Sequence, residues 1–443
     1  MGREAHDARR ETDDAPPAAR AVVSAGGFEA RATRGGSGEG GCESAGASDA
    51  WARELGHACC EHRYFDLMGA TITERFTHLR IELSERGALR AVQPAFLVRE
   101  DLLMGAPAWI RRAGEIVRRG AKGALTLNML MIGNATGEGV LAGSTEEARA
   151  WTARALAATL PALGRALGAS LVVFKDFAAG HRRVLGAPLR AAGFARLPSM
   201  PGCEIELGYK DFAEYLSKVH SRSRRADLRR KFRSAERGEG ADEGARGPVT
   251  LEVRESLGSE ELAREAHVLY QNVYERSTLR FERLTPEFLL RLGEVMPDKA
   301  RFFLWRIEGR LVAFNLCLVH EERPAEGPAG AREGAPERAP GARVLKDLYI
   351  GLDYGVALDR HLYFLSWRDV MEWAMRHGVR TYWTAPLNYA PKLDLKMKLA
   401  PLDLYVRHVS NALNPIAKRV IPLFGPTRGE PILRRFENFG DLA

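Results

Sequence analysis

From about Trp51 onward, apolar and polar positions alternate in two rhythms that mark out strands and helices in turn. Phe76–Leu83 and Leu89–Val98 read as strands, the second ending at Arg99, Glu100 and Asp101. Trp109–Arg119 has helical spacing, and Ala124–Ile132 (ALTLNMLMI) is a strong strand. Thr145–Leu167 carries Leu156, Leu160, Leu163 and Leu167 on one stripe of a long helix, in which Pro161 is expected to make a kink. Leu171–Phe174 predicts a buried strand, Pro188–Gly193 a short helix and Glu204–Leu207 a closing strand.

A second series of the same kind follows. Asp211 to about Arg237 predicts one continuous helix, with Phe212, Tyr215, Leu216, Leu228 and Phe232 on its apolar side. Gly238–Pro248 is a loop, Thr250–Val253 a strand, and Ser259–Arg276 and Thr285–Val295 are helices, the latter opened by Thr285 and Pro286. Arg301–Glu308 and Arg310–His320 form a hairpin across Glu308-Gly309. Glu321–Gly341, full of Pro, Glu, Gly and Ala, is an insertion expected to be flexible. Then come a half-buried strand (VLKDLYIGLDYG), an amphipathic helix stopping at Gly378, and the strand Thr381–Thr384. That strand runs into a proline-braced loop, Ala385–Pro391, which presents Asn388, Tyr389 and then Lys392. Strand, helix and strand ending in a polar loop predict a ligand cleft, because crossover units open at the carboxyl ends of their strands.

The division expected is a disordered segment over residues 1–50, a first domain over 51–208 and a second over 209–425 with the insertion at 321–341. A tail, 426–443, follows. The two halves repeat in pattern only. No apolar run approaches the roughly 20 residues that span a bilayer, and no secretory signal opens the chain, so cytoplasm is the expected location. LNPIAKRVIPLF at 413–424 mixes apolar residues with Lys418 and Arg419. It suits either a lipid interface, as a peripheral contact at the inner membrane, or packing on the core.

A net charge of +8 favours phosphate-bearing partners without choosing among nucleic acid, lipid surfaces, coenzyme A and nucleotide-linked precursors. Five cysteines form no disulfide pattern. His57, Cys59, Cys60 and His62 crowd together without metal-ligand spacing, so no metal is expected. Seven of the twelve residues Arg222–Arg233 are basic: a solvated helix face, or a phosphate clamp in which Arg225 and Arg229, four apart, act together. No DNA-reading motif accompanies them.

In that order, the basic helix and hairpin, YIGLDYG, the amphipathic helix ending RHG, and YWTAPLNYAPK resemble the second half of the FemAB-like and BioF-like N-acyltransferase group. That group belongs to the GNAT superfamily. The resemblance covers Asp211–Leu399, and more loosely the first half through LRAAGF. It implies an α+β fold of two tandem GNAT-like domains with mixed sheets, the second catalytic. It also implies acyl or aminoacyl transfer to an amine from coenzyme A, acyl carrier protein or transfer RNA. The usual pyrophosphate loop is not matched: Gly351 and Gly355 stand near Arg360 with a different spacing, which leaves the donor open.

The expected reaction moves an acyl group from acyl-CoA or acyl carrier protein to a primary amine of an amino acid, an amino sugar or a lipid such as a sphingoid base. No cofactor is held tightly. An aminoacyl-transfer-RNA-dependent ligase of cell-wall precursors and a non-catalytic binding protein of the same fold are the alternatives. Lys392 stands where the resembling enzymes keep a lysine by the reacting carbonyl, or else is a solvated lysine of KLDLKMK. Asp347 and Asp353 are candidate bases for the incoming ammonium and share a face if their strand is regular. Tyr389 is a candidate acid for the leaving thiolate or a packed aromatic, His361 a further candidate base, and Asn388 and Arg360 are candidate substrate-binding groups. Cys317, inside FNLCLV, reads as core.

Overall fold

Residues 20–35, 46–56, 61–101, 112, 114–116, 126–238, 247–321 and 341–443 are described in the computed structural model. Among them, fifteen strands build two mixed sheets, and helices cover the sheet faces. The first sheet has the order β1-β2-β3-β4-β5-β6-β15-β7, and the second has the order β14-β8-β13-β12-β11-β10-β9. In chain order, β1–β5 are Ala21–Ala25, Phe28–Arg34, Phe76–Glu85, Ala88–Asp101 and Thr126–Ile132. Next, β6–β10 are Leu171–Ala178, Ala195–Pro198, Gly202–Glu206, Val249–Arg254 and Ala300–Ile307. Last, β11–β15 are Arg310–Glu321, Arg343–Leu352, Val379–Thr384, Lys398–Ala400 and Leu402–His408.

Each sheet is an antiparallel meander, then one parallel step with a helical crossover, then two further antiparallel strands. The parallel step is β5 to β6 in the first sheet and β12 to β13 in the second. The crossover helices are Glu146–Ala166 and Leu362–Arg376. Two sheets of like topology are what the resemblance implied.

The last strands are traded between the sheets. β15, from the end of the chain, lies between β6 and β7 of the first sheet, while β8, from the first half, lies between β13 and β14 of the second. A division at residue 208 therefore leaves β8 on the wrong side of the cut and β15 likewise. The sequence shows no sign of this exchange, because a strand's periodicity says which face is buried and not which sheet buries it.

Two further expectations need correction. Residues 1–50 are not a structureless segment throughout: β1 and β2 form a hairpin across Gly26 and Gly27, whose positive φ angles of 60° and 84° suit glycine. Ala30 and Ala32 point inward beneath the helix Glu146–Ala166, and small alanines give little hydropathy signal. The helix expected over 211–237 is two, Phe212–Val219 and Arg222–Arg237, broken at extended His220; Ser221 caps the second through Arg224 N. Pro161 sits inside a helix that continues through it as one element. The helix expected over 109–119 lies largely outside the described residues, as do most of the loop 238–248 and of the insertion 321–341, and residues 57–60 of the histidine–cysteine cluster.

The second sheet is buried on both faces. Leu345, Phe303, Trp305 and Tyr382 pack under the helices Phe212–Val219, Arg222–Arg237 and Leu362–Arg376. Val344, Leu348, Phe302 and Phe314 face the helices Glu260–Arg276 and Pro286–Val295, and this core runs on beneath the first sheet. The tail packs too. Leu433, Phe436 and Leu442 are buried, and the Asn438 side chain pairs with both backbone groups of Leu399 on the outermost strand β14 (3.0 and 2.9 Å).

Candidate active site

Between β12 and β13 the second sheet comes apart. The two strands pair in parallel from Arg343/Val379 to Asp347/Thr384 and no further, with Ala385 N donating a last bond to Asp347 O (3.0 Å). β12 continues to Leu352, paired there only with β11. At the parting, Leu348 is an extra residue: Asp347 stands opposite Cys317 and Tyr349 opposite Leu316. Such a bulge bends its strand and re-aims the side chains that follow. A cavity of about 860 Å³ opens at this split, with walls drawn from both faces of the second sheet and from the first sheet.

Asp347 lines the cavity. Its Oδ2 accepts hydrogen bonds from Asn315 Nδ2 (2.8 Å) and Tyr382 Oη (2.6 Å), and the Cys317 thiol is a third partner. Burial pushes its carboxyl up to about 6, against the pull of those hydrogen bonds and of the Lys392 charge. The Asn315 side-chain oxygen is buried without a hydrogen-bond partner, next to the amide that holds Asp347. These residues carry apolar-strand signals around them, FNLCLV and TYWT, so the sequence marked them as core.

Lys392 is not the solvated lysine of its run. It lies in the short helix Tyr389–Asp394, is 5% exposed, and donates from Nζ to the Ala385 carbonyl. Burial draws its ammonium below the usual lysine range, while the thiol of Cys203 and the carboxylate of Asp347 oppose that shift. Asn388 and Leu387 precede the helix with φ of 50° and 72°; a leucine there is held in a backbone conformation it rarely adopts, at the rim of the cavity. Asn388 is hydrogen-bonded to Tyr363, a cavity residue whose phenol burial keeps firmly protonated. Tyr363 was missed because an aromatic in an amphipathic helix reads as core.

On the other face of β12, Lys346 pairs with Glu138 from the first half, and its Nζ lies 5.3 Å from the centre of the Trp383 ring. Tyr349 donates to Glu282 (2.7 Å). Lys175 pairs with Asp176 (2.7 Å) and bonds to Gly137 O (3.1 Å). Both lysines are thus paired with carboxylates, while Glu282 is held by a neutral phenol, so this wall is polar in patches. Around it, Met129, Met131, Leu171, Val173, Leu404 and Val406 make an apolar arm along the first sheet.

Four expected site residues therefore meet at the cavity: Asp347, Lys392, Tyr389 and Asn388. The others fall elsewhere. Asp353 shares no face with Asp347, because the bulge at Leu348 shifts the strand's alternation. It pairs with Arg310 and accepts from Gly355 N (2.9 Å). Tyr389 has its hydroxyl committed to Pro201 O (2.8 Å), which removes it as a thiolate acid and leaves its ring as wall. His361 starts the helix Leu362–Arg376 at φ 47°, outside the cavity lining, where burial and then Lys231 and Arg230 hold its pKa down. Arg360 is fully buried and binds the carbonyls of Ala235 (2.5 Å) and Gly247 (2.7 Å), a tie between chain segments instead of a ligand contact. Arg225 is folded back onto Ser217 O (3.3 Å) and His220 O (2.8 Å), and Arg229 is exposed on the outer surface, so the two do not form a clamp. Asp227 already takes up Arg224, Arg230 and Lys231 (3.0, 2.8 and 3.1 Å).

Among the described residues, no group of three His, Cys, Asp or Glu side chains is placed to hold a metal ion. Cys203 and Cys317 are both buried; burial pushes the first thiol to about 11 and the second well above its ordinary value. Both stay protonated at neutral pH, which makes them poor nucleophiles.

Residues 222–348 match the acetyltransferase (GNAT) domain family, a match to less than a third of the chain that ends one residue beyond Asp347. No curated protein matches the chain. Among solved structures, FemX is 11% identical, with 81% of this chain and 93% of that one covered at a TM-score of 0.45. A conserved protein of unknown function from Bacteroides thetaiotaomicron is 8% identical, covering 82% and 96% at 0.43. A tandem GNAT protein from the clavulanic acid biosynthesis pathway is 11% identical, covering 83% and 96% at 0.41.

Proposed function

We propose that the protein is an N-acyltransferase that moves an acyl group from acyl-coenzyme A to a primary amine at the split between β12 and β13, with Asp347 as general base. The observation that carries this is a carboxylate of raised pKa, fixed by two hydrogen bonds, at the wall of a largely apolar cavity inside the GNAT-matching segment.

An amine reaches the enzyme as an ammonium ion and cannot attack until it loses a proton. Asp347, ionised above about pH 6, takes that proton. The nitrogen lone pair then adds to the thioester carbonyl, and charge builds on the carbonyl oxygen. Lys392 supplies a fixed positive charge in a water-poor site, and the unpaired edge of β12 beyond Asp347 supplies backbone donors. Collapse breaks the carbon–sulfur bond, the nitrogen of the adduct gives up its second proton, the leaving thiolate takes up one, and amide and free thiol are the products. Tyr363, protonated and held by Asn388, is the hydroxyl available for that last step. With both described cysteines protonated and buried, transfer is direct from donor to amine.

The test is thiol release from acetyl-, octanoyl- and palmitoyl-coenzyme A against a panel of amino acids, amino sugars and long-chain amines, with aminoacyl-transfer RNA as a separate donor. Thioester-dependent amide formation is expected, falling about a hundredfold or more in Asp347→Asn. Silence of the intact protein across all thioester pairs would reject the reading, and turnover with the transfer RNA donor alone would replace it with aminoacyl transfer.

A further inference from the structure

Among the described residues, large apolar side chains left in solvent are few and mostly solitary. Among the described residues there are ten, and four of them fall within the eleven residues 413–423: Leu413 (51% exposed), Ile416 (63%), Val420 (38%) and Leu423 (51%). Their spacing of three, four and three places them along one side of the helix Asn414–Val420 and the turn that follows it. The side turned inward is different: Asn414, Ala417 and Ile421 pack on the protein. Asn414 anchors it, accepting from His408 N (3.0 Å) and donating to Gly193 O (2.9 Å). The helix is thus well seated and has a second apolar side with nothing on it.

Charge says what fits there. Lys418 and Arg419 are exposed on the same short helix, and Arg428, Arg434 and Arg435 follow in exposed positions. Across residues 413–435 these five basic residues meet a single acid, Glu430. An apolar ridge inside a basic field matches an anionic bilayer, whose interface takes apolar side chains below the headgroups and cations beside them. The same segment borders the cavity. Ile421 and Phe424 line its apolar arm together with Leu197, Leu402, Leu404 and Val406 of the first sheet.

We propose that residues 413–424 seat the protein on an anionic lipid surface, with the apolar arm of the cavity ending beneath the contact so that a long-chain lipid enters from the bilayer. The contact stands on the surface alone; only the lipid's role as substrate rests on the transferase reading above.

Flotation of the full chain with vesicles tests it. The protein should rise with vesicles of phosphatidylglycerol and phosphatidylcholine, rise at least tenfold less with phosphatidylcholine alone, and be released by salt. Ile416→Asp with Leu423→Asp should cut flotation at least tenfold while leaving thermal unfolding in place, and Lys418→Glu with Arg419→Glu should do so without touching the apolar ridge. Flotation unchanged in both double variants, or no flotation with anionic vesicles, overturns the proposal. So does a dimer in sizing experiments that Ile416→Asp dissolves, since the ridge would then be a contact between copies. A protein that floats but acylates no amine leaves the membrane contact standing and defeats the transferase reading instead.

Discussion

Asp347 is worth following alone, because one side chain ties stability to chemistry. Its folded-state carboxyl is raised from 3.8 to about 6, so the folded chain holds this proton more tightly than the unfolded chain does. Between those two values the unfolded state loses its proton first, and folding stability contributed here falls as pH rises. Above about pH 6 the loss is complete. Two units correspond to about 3 kcal/mol. Asp347→Asn keeps an oxygen for both donors, Asn315 and Tyr382, and removes the charge. The expected outcome at pH 8 is a melting temperature equal to or above that of the parent, with turnover down a hundredfold or more. In the parent, the rate should climb with pH through an apparent pKa near 6. A substitution that lowered both activity and melting temperature would mark Asp347 as structural.

At the scale of elements, the informative feature is a strand with one residue too many. From the sequence, β12 reads as a regular strand and Asp347 and Asp353 as neighbours on one face; the bulge at Leu348 makes them strangers. Nothing in the letters DLYI reports a bulge, since an extra residue leaves composition and length intact. The helices around it were legible wherever a cap stood beside a stripe, as at Thr285-Pro286 and Ser259. The break at His220 was not, because apolar spacing on either side of one extended residue still looks helical. Lys392 was found through the family resemblance and Asp347 as a carboxylate on the strand before the crossover helix, whereas Asn315, Tyr382 and Tyr363 looked like ordinary core. Gly351, which with Gly355 fails to match the usual pyrophosphate-loop spacing, has a packing role. A Cβ there would lie 2.3 Å from Phe314 and 2.8 Å from the backbone nitrogen of Tyr270, so glycine is what lets the helix Glu260–Arg276 press onto β12. Gly351→Ala should therefore cost about 1–3 kcal/mol in denaturant unfolding. Gly355, whose Cβ would meet only the Asp353 carboxylate at 3.1 Å, should tolerate alanine far better. Equal sensitivity at the two positions would contradict this.

For the whole molecule, the traded strands decide how it holds together. β7 pairs only with β15, and β14 only with β8, so each outermost strand depends on a partner from the other half of the chain. β15 is also pinned by charge. Asp403, buried on it, is gripped by Arg182 through two bonds (2.7 and 3.1 Å), with Arg196 at 3.4 Å; Arg182 and Arg196 then reach the last carbonyls of the chain. Removing one partner from such a pair leaves a buried charge uncompensated. A chain severed between Gly208 and Asp211 breaks no strand, yet each fragment alone lacks the strand that covers β6 or β13. An exposed central edge is a site for wrong pairing, so each fragment made by itself should be aggregated or poorly folded. Made together they should associate, because every missing strand is then present, and the complex should recover the cavity and its activity. The intact chain should unfold in a single transition, seen alike by the tryptophans of the first half (Trp51, Trp109, Trp151) and those of the second (Trp305, Trp367, Trp373, Trp383). Two separated transitions, or one fragment that melts cooperatively on its own, would mean the strand exchange is an ornament of two independent domains. A single transition would instead make the cavity a property of both halves, since its walls are built from sheets that cannot be completed separately.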